Sequence, residues 1–347
     1  MRYIGSKSRL VSSIGKYIGQ PTQGRFIDAF CGTGAVAEEA SRKGWPIVLN
    51  DLMHYAIVLS TARLMTEPDT AFSEFGGYHN AVGLLNRTTP RPGYIAEQYS
   101  PRSFQALGFE RRYFTEQNAS LIDAIRAQIS VWSSKGLISD LESHLLIADL
   151  LRAASRVANT SGTFGCFLSD WTAQSQSPLL LRPRERPKVS NRIEARVGDA
   201  ATLKVTPADT VYFDPPYTKR QYASYYHILE TITLGDEPEV EGVCGLRPWK
   251  HKASNFCYKS KAAEALRQLI DSTCANRVLL SYSSEGHVGL DELKSILTPY
   301  HSAVLHPIDT IGRYRPNAEA SRNGSSVTEY LAVIDKTTQS ASDFEMA

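Results

Sequence analysis

Two short stretches carry side chains whose types and spacing could do chemistry. The first is Asp28-Ala29-Phe30-Cys31-Gly32-Thr33-Gly34, which lies where an apolar run hands over to a helical pattern. Glycines there let the backbone approach a ligand closely, and the start of a helix offers free N–H groups. Asp51 ends the next apolar run, where a carboxylate can accept hydrogen bonds from ribose hydroxyls. A plain tight turn in any doubly wound domain has the same G-x-G, so the motif alone leaves both readings open. The third glycine of the dinucleotide fingerprint is Ala37 here, which tilts against a dinucleotide. Asp28 points the same way. It would repel a pyrophosphate and suits a cationic or amine-bearing ligand.

The second stretch is Asp214-Pro215-Pro216-Tyr217, directly after Val211-Tyr212-Phe213. Two prolines fix φ and remove two backbone donors, which leaves carbonyl groups as acceptors. Asp214 adds another acceptor and Tyr217 a flat ring. Acceptors beside an aromatic plate suit a planar amine. The alternative is a rigid strand-end turn with Asp214 capping a helix. The full tetrapeptide, downstream of a Gly turn, favours the amine cleft.

The elements that must position these stretches follow from hydrophobic spacing. Residues 8–18 have helical periodicity, 25–30 read as a buried strand, 35–42 as helix and 47–49 as a second strand. Strand, turn, helix, strand is a βαβ unit that opens a parallel sheet. Residues 68–92 are rich in Gly, Pro, Asn and Thr and read as loop, and helices are expected over 115–130 and 139–157. Strand-like runs resume at 192–197, 210–213, 277–282, 303–306 and 327–334, with helical runs at 260–274 and 290–297. The pattern predicts one α/β domain built from both ends of the chain and interrupted by a mostly helical middle.

The chain has 347 residues, 42% hydrophobic and 21% charged, which excludes a disordered chain, a fibrous repeat and a small disulfide scaffold. Lys plus Arg is 38 against 36 Asp plus Glu, so any nucleic-acid contact must come from a local patch. The five cysteines form no C-x-x-C pair, and neither a metal site nor a disulfide framework is expected. The first twenty residues do not read as a signal peptide, and no run reaches the ~18 apolar residues of a membrane span. A soluble protein of a reducing, cytoplasmic compartment with no membrane partner is the expectation.

The chain resembles the Dam-type, alpha-group adenine-specific DNA methyltransferases of restriction-modification systems. The resemblance rests on Tyr3-Ile4-Gly5-Ser6-Lys7, Phe30-Cys31-Gly32-Thr33-Gly34, Asn50-Asp51, Asn159-Thr160-Ser161-Gly162, Gly198-Asp199, Asp214-Pro215-Pro216-Tyr217, His227-Ile228-Leu229-Glu230-Thr231 and Leu280-Ser281-Tyr282. It covers nearly the whole chain and is weakest over residues 66–93. It implies an α/β fold: a Rossmann-like S-adenosylmethionine (AdoMet)-dependent methyltransferase sheet over residues 1–64 and 189–340, with an inserted, mostly helical target-recognition domain over 65–188. It also implies that AdoMet is held by Tyr3, Lys7 (through the cofactor carboxylate), Asp28 (facing the amine), Phe30, Gly32, Gly34, Asp51 and Asp199. Asp214, Pro215, Pro216 and Tyr217 would hold a flipped adenine of double-stranded DNA for methylation at N6. A cognate restriction endonuclease would be a genetic partner. An RNA adenine methyltransferase and a non-catalytic AdoMet-sensing DNA-binding protein are the alternatives. Cytosine as target is disfavoured because those enzymes more often carry Ser at position 214.

Three further segments offer cations to a DNA backbone. Arg102-Ser103-Phe104 to Arg111-Arg112-Tyr113-Phe114 interleaves cations with aromatic residues and reads equally as a grip on phosphates and bases or as a solvated basic face with aromatic core anchors, whereas the denser run of Arg182, Arg184, Arg186, Lys188 and Arg192 favours DNA-backbone contact over a plain charged linker. Arg220 follows Tyr217 closely. His227 has no metal-ligand spacing around it and reads as structural.

Overall fold

A computed structural model describes residues 4–187, 192–311 and 327–336. Tyr3 and Lys188 lie outside the described residues. The chain divides into two compact units. One comprises Gly5–Leu52, Asn191–Gln221 and Ala253–Ala347, the other Met1–Ile4, Met53–Ser190 and Tyr222–Lys252.

The first unit holds a seven-stranded sheet. Its strands are β1 (Phe26–Asp28), β2 (Ile47–Asp51), β3 (Ile193–Val197), β4 (Thr210–Phe213), β5 (Arg277–Ser283), β6 (Val304–Ile311) and β7 (Val327–Asp335), in the order β3-β2-β1-β4-β5-β7-β6. The five strands from β3 to β5 in that order are parallel, whereas β7 runs antiparallel to both β5 and β6. Every residue of β1 and β4 is buried, as parallel strands covered on both faces require. The edge strand β3 is only half-buried. Four helices flank the strands in the chain: α1 (Val11–Ile18), α2 (Ala35–Arg42), and two that follow β4 and β5 in sequence, Ala262–Ser272 and Leu290–Leu297. Leu266, Leu269 and Ile270 of the third and Leu293, Ile296 and Leu297 of the fourth share one core with Ile27, Val211, Val278 and Leu280 of the sheet. This is the α/β Rossmann-like sheet that the sequence led us to expect.

The second unit is helical. Its core collects Tyr55, Leu59, Tyr99, Ile122, Leu146, Leu150 and Ile228 among others. The long helices Glu116–Ser134 and Asp140–Val157 both start on side-chain caps. Thr115 accepts from the Asn118 N–H, and Ser139 forms a reciprocal capping box with Glu142.

Two boundaries differ from the sequence expectation. The helix His54–Leu64 belongs to this second unit, because nine of its eleven residues are buried and it packs on Asp140–Val157. Residues 222–252 join it too, since the helix His227–Leu234 packs on both of these. A helix also forms over Tyr78–Leu85, where loop was expected. Its buried residues Tyr78, Ala81, Val82 and Leu85 do have helical spacing, but the flanking Gly76, Gly77 and Asn86 mask it.

Candidate active site

The Gly turn joins β1 to α2. Gly32 and Gly34 sit at φ 49° and 73°, a left-handed backbone that L side chains adopt rarely, so the sharp reversal needs glycine at both positions. The turn is tied to β2. The Gly32 N–H donates to Asp51 Oδ2 at 3.0 Å, and the Cys31 N–H donates to the Asn50 carbonyl at 2.9 Å. The Asn50 amide in turn donates to the carbonyls of Ala29 at 3.0 Å and Gly198 at 3.1 Å. Asn50-Asp51 therefore clamps three segments at the strand ends. Phe30 packs edge-on against Phe213 and Phe256.

Asp214-Pro215-Pro216-Tyr217 leaves the end of β4, the strand beside β1. Asp28 is in register with Tyr212, and the Ala29 N–H donates to the Tyr212 carbonyl at 3.0 Å. Both stretches picked out in the sequence thus emerge at the carboxyl ends of adjacent parallel strands, where open α/β sheets bind ligands. The Tyr217 ring lies 5.7 Å from that of Tyr282 on β5. Ser281, one residue earlier, accepts a hydrogen bond from Tyr212 at 2.8 Å.

Lys7 differs from its expected placement. It is buried, and its ammonium lies 3.2 Å from Asp214 Oδ1 and 3.0 Å from Glu329 Oε2 on β7. It also sits 5.1 Å over the Tyr217 ring. A cation so occupied is engaged by the Asp-Pro-Pro-Tyr segment and by Glu329, two partners that the expectation of a cofactor carboxylate did not include. Glu329 was not singled out in the sequence. Its Oε1 is 3.5 Å from the Tyr217 hydroxyl. No local motif marks it, because only the sheet order brings β7 beside this segment.

Asp28 and Asp214 are unusual carboxyls. Burial pushes Asp28 well above the ordinary range, and the negative charges of Asp214 and Asp51 add to the effect. Burial also pushes Asp214 up to about 6, with Lys7 opposing and Glu329 reinforcing the rise. Lys7 loses by desolvation, yet Asp214, Tyr217, Tyr212 and Glu329 together hold it firmly cationic. Asp28 Oδ1 is buried with no hydrogen-bond partner among the described residues, and Asp214 Oδ1 has no donor besides Lys7. Asp28, Asp51, Asp214 and Glu329 are thus linked through their mutual electrostatic contacts, and Lys7 pairs with two of them, Asp214 and Glu329. Such a site favours a cationic ligand and an amine donor, and AdoMet carries both an ammonium and a sulfonium. The described residues fit that cofactor.

The remaining expected residues fall into two groups. Arg111 is buried, and its guanidinium donates to the carbonyls of Val243 and Gly242 and to Gln98 Oε1, at 2.9–3.1 Å. Arg186 lies over the Tyr78 ring at 4.7 Å and donates to Thr70 Oγ1 at 2.6 Å. Both are internal clamps, which corrects the expected DNA contacts. Arg112 pairs with Glu110 and donates to the Ser169 carbonyl, while the backbone N–H of Arg184 meets the Tyr78 hydroxyl. Arg102 is half-buried, and Arg182 and Arg220 are exposed. Asp199 is exposed and caps a short turn by accepting from the Ala201 N–H at 3.0 Å.

His227 is fully buried, bonded through Nε2 to the Phe164 carbonyl at 2.9 Å, and pushed down to about 3 by burial. It is neutral and structural. The neighbouring Glu230 accepts from the N–H groups of His54 and Tyr55, from His54 Nδ1 at 2.8 Å and from Lys252 at 2.9 Å. It caps the start of the helix His54–Leu64 from another helix. Asn159 staples its own loop, donating to the Leu168 carbonyl and accepting from the Thr172 N–H. Among the described residues no cluster of His, Cys, Asp and Glu is arranged to hold a metal, and no helix is long and apolar enough to cross a membrane.

The chain is 33% identical over 346 residues to the type II methyltransferase M.FokI of Planomicrobium okeanokoites, covering 97% of this chain and 53% of that protein. It is 31% identical over 345 residues to the type II methyltransferase M.NlaIII of Neisseria lactamica, covering 97% of this chain and 100% of that one. The chain thus spans about half the length of M.FokI and of two further relatives. Among solved structures, magnesium protoporphyrin IX methyltransferase from Synechocystis PCC 6803 with bound SAM aligns over 95% of this chain and 80% of that one, with a TM-score of 0.33 and 8% identity, a likeness too slight to carry weight. A family model matches residues 3–296, and the chain belongs to the family it describes, the D12 class N6 adenine-specific DNA methyltransferases.

Proposed function

We propose that this chain transfers a methyl group from AdoMet to the exocyclic N6 amine of an adenine flipped out of duplex DNA. The observation that carries the reading is the emergence of the Gly turn and of Asp214-Pro215-Pro216-Tyr217 from adjacent parallel strands, with one buried oxygen of Asp28 lacking a donor and one of Asp214 reached only by Lys7. Asp28, Phe30, Gly32, Gly34 and Asp51 hold the cofactor. Asp28 takes its ammonium, Asp51 its ribose, and Asp199 lies toward its adenine. When bound, the cofactor supplies an electrophilic methyl carbon on a positively charged sulfur.

The adenine amine is a poor nucleophile because its lone pair is delocalised into the ring. Asp214 and the Pro215 carbonyl accept its two N–H groups, pyramidalise the nitrogen and aim the lone pair at the methyl carbon. Bound AdoMet would supply the methyl group to this nitrogen and leave as the neutral thioether S-adenosylhomocysteine, and the extra proton of the methylated amine would pass to solvent. Alignment and preorganised acceptors do the work without a covalent enzyme intermediate. Flipping the base costs a few kcal/mol, and stacking on Tyr217 returns roughly 1–3 kcal/mol. Pro216 keeps the segment rigid.

The helical unit is proposed to read the target sequence, with Arg182, Arg102 and Arg112 against the DNA backbone and Arg220 beside the target. Relatives named as modification methylases support a role in restriction-modification; a cognate endonuclease as genetic partner and the cytoplasm as compartment are part of the same proposal. The test is transfer of labelled methyl from AdoMet to duplex DNA, followed by digestion to nucleosides. N6-methyldeoxyadenosine as the labelled product supports the reading. Label in cytosine, in RNA alone or in neither nucleic acid overturns it.

A further inference from the structure

We propose that Glu329 is a positioning residue for Asp214, acting through Lys7 and Tyr217 to keep the Asp214 carboxylate a strong, open acceptor. The inference rests on the methyl-transfer reading above and extends it to a residue beyond the matched segment, which ends at 296.

Glu329 stands on β7, paired with Ser283 of β5, and is itself buried. Its two oxygens are spent on two different members of the site: Oε2 on the Lys7 ammonium at 3.0 Å, Oε1 toward the Tyr217 hydroxyl at 3.5 Å. Lys7 is therefore shared between Glu329 and Asp214, and stands slightly closer to Glu329. The sharing has a chemical consequence. A buried ammonium with Asp214 as its sole counter-ion would draw that carboxylate's charge to itself and leave a weak acceptor for an amine. A second carboxylate anchors the ammonium from the other side and splits its charge. The Asp214 lone pairs stay basic while the carboxylate stays ionised.

Glu329 also ties the end of the Asp-Pro-Pro-Tyr segment to the sheet through Tyr217. The same two contacts thus set the electrostatics of the acceptor and the seat of the ring. The other groups that face Asp214 are Tyr212 on β4 and Asp28 on β1, and neither supplies a positive charge.

The experiment compares wild type with Glu329→Gln and Glu329→Asp. Glutamine keeps the shape and removes the charge, so Lys7 falls wholly to Asp214. The acid limb of kcat/KM for DNA methylation should move down by roughly one pH unit, as loss of a nearby like charge requires. The plateau kcat should fall about tenfold or more, while AdoMet affinity stays within about twofold. Aspartate keeps the charge with a shorter reach, and should retain the wild-type limb with a lower kcat. It also guards against misfolding of the glutamine variant. A Glu329→Gln enzyme with the wild-type limb and kcat overturns the proposal. So does an identical loss in both variants with no movement of the limb, which is what a merely structural residue gives. The Asp214 titration, followed by NMR of the carboxyl-13C-labelled protein without substrate, reads the same coupling independently of activity. It should move down in Glu329→Gln and up in Lys7→Met. Absence of methyl transfer by wild type would defeat the function reading and leave this measurement to decide the inference by itself.

Discussion

Asp28 on β1 is paired in register with Tyr212 on β4, two residues before Asp214. The pairing sets the carboxyls of Asp28 and Asp214 at the ends of neighbouring strands, close enough for Asp214 to raise the Asp28 pKa. The sheet order makes this a natural crevice. From β1 the chain turns to β2 and β3 on one side and later to β4 and β5 on the other, so β1 and β4 flank the reversal point of the topology. Lys7 is paired with Asp214, so Asp28 is the carboxyl whose ionisation burial and its acidic neighbours oppose, and a cationic ligand would relieve that opposition.

That opposition predicts a pH dependence for Asp28. Its carboxyl is raised in the folded chain by burial and by Asp214 and Asp51. Stability from this group is complete below the unfolded value of about 3.9, and is lost as pH rises through the raised folded value. Asp28→Asn should melt higher than wild type at pH 8 without AdoMet, by about 2–4 °C for each kcal/mol relieved, with a smaller difference at pH 4. The same variant should bind AdoMet at least about tenfold more weakly, because the proposed function makes Asp28 the partner of the ligand ammonium. Thermal melts at the two pH values, with and without AdoMet, check both halves. An equal melting difference at both pH values would remove the charge argument.

Tyr217 should act through its ring more than its hydroxyl. The ring is stacked on by Lys7 and packed on Tyr282, whereas the hydroxyl has only the 3.5 Å contact with Glu329. Tyr217→Ala should lower kcat/KM by about 5- to 150-fold, the equivalent of roughly 1–3 kcal/mol of lost stacking. Tyr217→Phe should lose several-fold at most. Steady-state kinetics on one duplex substrate distinguish the two, and equal losses would move the role to the hydroxyl.

The legible parts of this molecule are those whose information is local. The helix at Ala35–Arg42 and the strand–turn–helix around Gly32 could be read because periodicity, breakers and the Gly turn all fall within a few residues. Asp214-Pro215-Pro216-Tyr217 could be read for the same reason. Lys7, Glu329 and Glu230 were missed or misplaced because their partners are set by topology. The Lys7–Glu329 pair joins the two ends of the chain across the sheet, and nothing near either residue announces it. Arg111 and Arg186 show the converse. Their neighbours look like a solvated basic run, but the guanidinium groups are turned inward onto backbone carbonyls and a tyrosine ring.

Glu230 gives a stability prediction. Burial alone would raise its carboxyl, but Lys252 and His54, with the Tyr55 N–H, pull it below the ordinary range. A depressed carboxyl contributes stability above the unfolded value of about 4.3, and that stability disappears as pH falls through the folded value. Glu230→Ala should cost ~1–3 kcal/mol at pH 7, since it removes the partner of the half-buried Lys252 ammonium and strands the first N–H groups of the helix His54–Leu64. Glu230→Gln should cost less, and its gap from wild type should close as pH falls below about 4. Urea unfolding across that range measures the gap, and a pH-independent gap would contradict an ionised hub.

Arg111 and Arg182 should separate structure from DNA contact within one unit. Arg111 is buried and spans Gln98, Gly242 and Val243, so it joins a segment before the long helices to one after them. Arg111→Ala strands those carbonyls at roughly 1–3 kcal/mol for each that stays buried. It should lower the melting temperature while the salt dependence of DNA binding keeps its slope. Arg182 is exposed, and its positive charge adds to burial in lowering the pKa of the nearby Arg156. Two cations held near each other lose repulsion when a phosphate binds between them. Arg182→Ala should leave the melting temperature unchanged and reduce the slope of log Kobs against log salt by about one, uniformly across DNA sequences. Melting curves and fluorescence anisotropy between 50 and 200 mM salt, on both variants, decide between the roles. A reduced slope in Arg111→Ala with an intact fold would return that residue to the DNA surface. An unchanged slope in Arg182→Ala would remove Arg182 from it.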